Sequence, residues 1–123
     1  MAFIDIRKEV IPLKEHKEMG LRIIKAKEKL VINSSEKEVY IELYSFSIAV
    51  GIKSAQILEE ISYNQITKEY LAYYRDGQKL IKLLDVNGLD VLIRNLMAAG
   101  YDIGLLKNIR NQIKYLIKLM EKE

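Results

Sequence analysis

The stretch Tyr44–Ile61, YSFSIAVGIKSAQILEEI, carries two apolar periods parted by a single glycine, Gly51. No other feature restricts the fold as much. A helix that runs up to Gly51 has a natural left-handed stop there, and a second helix must leave at an angle. With only one Pro and six Gly in 123 residues, the chain has few other breakers, so long regular elements are expected around this corner.

The size fits one domain, 1–123, built on one core. Half the residues are hydrophobic and 30% are charged, the balance of a folded chain rather than a disordered one. There is no Cys, which removes disulfides and thiolate metal sites, and a single His, which removes a multi-histidine metal centre within one chain. A net charge of +3 keeps nucleic acid in view without demanding it. The richness in Lys, Glu and Ile is also thermophile-like. Leu43–Ile52 is the longest uncharged stretch near the middle, far short of the ~20 apolar residues that span a bilayer. The opening MAFIDIRKEV is charged and lacks the apolar core of a signal peptide. A cytoplasmic protein with no membrane contact is therefore expected.

Along the chain, residues 3–13 alternate at first and read as a short strand or arm closed by Pro12. Met19, Ile23, Ala26 and Leu30 recur at helical spacing, with Arg22, Lys25 and Lys29 sharing another side. Ser35 and Glu38 form a capping box that predicts a helix with Val39, Leu43, Phe46 and Val50 on one face. After Gly51, Ser54 is placed to cap a helix whose Ile57, Leu58 and Ile61 face inward.

Residues 66–84 support two readings. Asp76-Gly77, between Tyr, Ile and Leu residues, is a hairpin signal, while Ile66, Tyr70, Tyr73, Leu80 and Leu84 also fit a helical face. The hairpin, at 69–84, is favoured. Asp85 and Asp102 are placed to cap the last two helices. Leu106, Ile109, Ile113, Leu116 and Met120 make a heptad-like seam on the final one, open either to the domain body or to a homodimer partner. Beside the seam, Lys107, Arg110, Lys114 and Lys118 form a basic stripe able to follow a phosphate backbone. Tyr63, Tyr70, Tyr73 and Tyr74 suit either base stacking or the edge of a core.

The apolar-Gly-Ile corner at Val50-Gly51-Ile52, with the helix after it and the downstream KEYLAYYRDGQKLIKLLDVNGLDVLIRNL, resembles the winged-helix and helix-turn-helix transcription regulators over about residues 35–97. The resemblance implies a mainly α, winged-helix-like domain whose possible β-hairpin at 69–84 is the wing, followed by a long C-terminal amphipathic helix. It also implies roles. Lys53, Ser54 and Gln56 would open the recognition helix, Ser and Gln toward base edges and Lys toward phosphate. Arg75, Lys79 and Lys82 would touch the duplex backbone from the wing. Glu59 and Glu60, later in that helix, depart from a basic recognition surface. A second resemblance rests on Asn87-Gly88-Leu89 and the Leu/Gly spacing after it, which look like a segment of the small all-helical subunits of CRISPR effector complexes. That reading requires 66–84 to be helical.

Catalytic patterns are not found: the chain has no phosphate-binding loop, nucleophile elbow or dinucleotide glycine set. His16, between Glu15 and Lys17, reads as an exposed residue of a charged helix. The expectation is a non-enzymatic protein without cofactor or metal that binds double-stranded DNA, as a small regulator or architectural protein and as a homodimer through its last helix. The alternative is an all-helical interaction subunit of a larger complex.

Overall fold

The computed structural model describes residues 8–31, 37–63 and 70–121. Its centre is a five-stranded antiparallel sheet in the order β1-β2-β3-β5-β4, curled into a half-barrel. The strands are β1 (Val10–Glu18), β2 (Leu21–Glu28), β3 (Glu38–Glu42), β4 (Leu71–Asp76) and β5 (Lys79–Asp85). Four helices accompany them among the described residues: α1 (Leu43–Val50), α2 (Ser54–Tyr63), α3 (Val86–Ala98) and α4 (Ile103–Glu121).

The mainly α, winged-helix-like expectation is thus corrected: the hairpin is part of a five-stranded sheet, and β2 and β3 are strands where helices were expected. Residues 19–30 explain how. Their apolar spacing suits a helix, but Ile23 and Ile24 are both wholly buried, and they sit in different clusters. A strand covered on both faces produces a dense apolar run without clean alternation, which mimics a helical period. Leu21 and Ile23 face the helices while Ile24 and Ala26 face the other way. The basic side imagined for a helix is dispersed accordingly. Lys25 reaches the Met120 carbonyl at 3.5 Å, and Lys29 pairs with Glu9 at 3.0 Å.

The capping box at Ser35 and Glu38 does not start a helix either. Ser35 lies outside the described residues, and Glu38 opens β3, where Val39, Tyr40 and Ile41 favour a pleated surface. The helix begins only at Leu43, capped by the Glu42 carboxylate, which accepts the Tyr44 and Ser45 N–H groups. Pro12 lies within β1 rather than closing it. It sits at a register shift on this edge strand, where a missing N–H costs no ladder bond. His16 is in the same strand, not on a helix, with Nε2 3.2 Å from Glu18.

Between residues 71 and 85 the chain forms a hairpin, Asp76 pairing with Lys79 across a two-residue turn that starts at Gly77, φ +62°. These strands replace the continuous helix that the resemblance to all-helical subunits required.

The sheet has a core on each face. On the helical side, Phe46 and Val50 of α1, Ile57 and Ile61 of α2, Leu92 and Ile93 of α3, and the α4 seam pack on Ile23, Ile41 and Leu84. All five seam residues, Leu106, Ile109, Ile113, Leu116 and Met120, are buried in this core. On the enclosed side, Val10, Ile24, Ala26, Tyr40, Ala72, Tyr74 and Leu83 form a smaller cluster made of strand residues alone. The curl brings the two edge strands together, Tyr73 donating its N–H to the Lys8 carbonyl at 2.9 Å beside a parallel bridge from Glu9 to Tyr73.

Candidate nucleic-acid interface

The corner at Gly51 positions the candidate site. Gly51 is left-handed at φ +69°, its N–H bonds the Ile48 carbonyl, and the Ile52 N–H bonds the Ser47 carbonyl at 3.1 Å. The next helix starts one residue earlier than the Ser54 cap implied. The Lys53 carbonyl accepts from the Gln56 and Ile57 N–H groups, so Lys53 holds the cap position and Ser54 is the first helical residue. The Ser54 hydroxyl instead hydrogen-bonds Ser47 at 3.0 Å, fastening α2 to α1. Lys53 and Gln56 are exposed, whereas Ile57 and Ile61 anchor the helix in the core.

A cleft of about 510 Å³ opens beside this corner. Its origin is the early end of β3. That strand pairs with β2 only as far as Ile23–Ile41 and with β5 only as far as Glu42–Leu83, and then the chain departs as α1. Residues Lys79–Lys82 of β5 consequently pair with β4 alone, and the space a longer β3 would fill becomes the cleft. Its walls are Leu43 and Tyr44 of α1, Ser54, Ile57 and Leu58 of α2, and Lys79–Lys82 of β5, with Arg22 and Glu42 at the strand ends.

Three cations, Arg22, Lys79 and Lys82, therefore face one carboxylate, Glu42, and that carboxylate is already engaged in capping α1. Arg22 is held in place by Glu15, which receives two of its N–H groups, and by the Tyr74 hydroxyl at 2.7 Å. Burial raises the Tyr74 phenol above its usual range despite that neighbouring guanidinium, so it stays a neutral partner.

Of the residues singled out from sequence, Ser54, Lys79 and Lys82 meet in the cleft, with Lys53 and Gln56 on the adjoining first turn of α2. Arg75 is exposed on β4, its guanidinium 6.0 Å from the Tyr73 ring centre. The stripe on α4 lies elsewhere. Lys107, Lys114 and Lys118 are exposed, and Arg110 is half-buried with its Nε lacking a hydrogen-bond partner. The four tyrosines do not form one stacking surface: Tyr74 is in the enclosed core, Tyr70 packs at the edge of the helical core and Tyr63 is exposed.

Sequence reasoning missed Arg22 and Tyr44. Arg22 was assigned to a helix, and Tyr44 falls on the solvent side of α1, where periodicity attaches no role to it. Among the described residues no group of three His, Asp or Glu side chains could hold a metal ion, and no helix is long and apolar enough to cross a membrane. Comparison with known proteins finds no matching family model, no similar curated protein and no similar solved structure.

Proposed function

We propose that this protein is a non-enzymatic nucleic-acid-binding domain that engages double-stranded DNA, as a small regulator or architectural protein, through the start of α2 and the β4–β5 hairpin. One observation carries this reading: Ser54 on α2 and Lys79 and Lys82 on β5, distant in sequence, line one cleft with Arg22, beside the exposed Lys53 and Gln56. Such a face offers cations to phosphates and short polar side chains to base edges. The acidic Glu59 and Glu60 lie in the second half of α2, beyond that first turn.

The test is fluorescence anisotropy with a labelled duplex at two salt concentrations. Affinity should fall steeply with salt, because each phosphate neutralised by Lys or Arg releases counterions. Reversing charge at Lys53, Arg75 and Lys79 together should weaken binding by at least about 100-fold at low salt while the circular dichroism spectrum is unchanged. Unaltered affinity in that triple variant refutes the footprint.

A further inference from the structure

The cleft is large enough to take a small ligand as well as a surface contact. A volume of about 510 Å³ lies in the ~300–1,000 Å³ range of small-ligand sites. Its make-up is divided: Ile57, Leu58 and Leu80 supply apolar lining, while Lys79 and Lys82 bring positive charge to the same opening, Arg22 beside them being paired with Glu15. Tyr44 stands at the lip with 65% of its surface exposed, its backbone N–H tied down by Glu42. A flat apolar group with an attached anion satisfies both halves.

We propose that the cleft is a binding site for one unstacked nucleotide, the base lying against Tyr44 and Leu58 and the phosphate held by Lys79 and Lys82. The inference rests on the nucleic-acid reading of this face and deepens it. Stacking on an aromatic ring accepts any base, since every base presents a π-face. The lysines supply charge without selecting sequence. Leu80 and Tyr44 would lose water-exposed apolar surface on binding, a gain that a phosphate ion alone could not produce. The same chemistry is met by a free mononucleotide and by a nucleotide displaced from a strand.

The experiment is a titration followed by ¹H–¹⁵N NMR on the full chain, with adenosine and thymidine 5′-monophosphates, adenosine, inorganic phosphate, a labelled single strand and the duplex as probes. Both mononucleotides should shift the amides of Tyr44, Ser54, Leu58 and Ile81, and adenosine or phosphate alone should bind at least about tenfold more weakly. Tyr44→Ala and Lys82→Glu should each reduce mononucleotide affinity by about tenfold with spectral dispersion retained; Tyr44 is exposed, so its truncation leaves the core intact. A single strand that binds more tightly than the mononucleotide marks a strand as the source, whereas equal affinity marks a free nucleotide. Duplex binding without any mononucleotide shift in the cleft overturns this inference and leaves the duplex reading standing. Mononucleotide binding without duplex affinity does the reverse. Shifts confined to another face, or none with any probe, also overturn it.

Discussion

At the residue scale, two positions show how local chemistry is overruled by neighbours. Gly88 lies within α3, where replacement by Ala ordinarily gains about 1 kcal/mol of helix propensity. Here an added Cβ would lie 2.7 Å from both Cβ and Cγ of Tyr70, atoms too close to the backbone to swing aside. Gly88→Ala should therefore destabilise the protein by about 1–3 kcal/mol in urea unfolding. A raised midpoint would mean that Tyr70 yields at no cost.

The second position is Lys8, where the curl closes. Burial opposes its charge, but hydrogen bonds to Glu38 at 2.6 Å, to Tyr40 and to Glu28 outweigh that and hold the ammonium well above its usual 10.5. Tyr40 is also raised, first by burial and then by its hydrogen bond to Glu38. For the lysine, the stabilising form is the charged one, fully present below 10.5 and lost as pH rises. For the tyrosine, folding resists ionisation, so stability again falls once the unfolded phenol begins to ionise near 10.0. Both groups thus predict a melting temperature that declines above about pH 10. Lys8→Met should lower it at neutral pH, by leaving Glu38 without its cation, and flatten the alkaline slope. A slope identical to wild type would remove Lys8 from the explanation.

At the scale of elements, caps and turns were the legible part. Asp85 accepts the Asn87 N–H at 2.8 Å and Asp102 the Leu105 N–H at 3.1 Å, the two carboxylates starting α3 and α4 where their spacing places them. Gly51 ends α1 for the same reason: a short-range steric rule operates whatever surrounds it. The identity of β2 was not legible, since whether Ile23 and Ile24 share a helix or oppose each other across a sheet depends on what covers them. The α4 seam was readable as apolar but not as to its partner. Because its residues are buried in the helical core, Ile113→Ala should cost about 2–5 kcal/mol in the isolated protein. Lys114→Ala, one residue along and exposed, should stay within about 0.5 kcal/mol. A seam serving a second copy would give the opposite pattern, with unchanged monomer stability and a loss of dimer in sedimentation.

For the whole molecule, the candidate site exists because of an interruption. A β3 longer by three or four residues would have continued the sheet between the end of β2 and β5, and Lys79–Lys82 would face a strand rather than an opening. Instead the chain becomes α1 at Leu43, and α2, leaving the Gly51 corner, forms the opposite wall. Three of the six proposed contact residues converge on that opening, although the fold expected to unite them was a different one. Their meeting follows from the corner and the hairpin, two local features that survive the change of architecture.

Local rules acting within a few residues set the helix caps, the Gly51 turn, the Asp76-Gly77 hairpin and the inward side of α4, and these can be read from the chain alone. Strand order, the two-sided burial of β2 and the cleft arise only when segments far apart in sequence pack together. A row of apolar side chains specifies that it must be buried, not which surface will bury it.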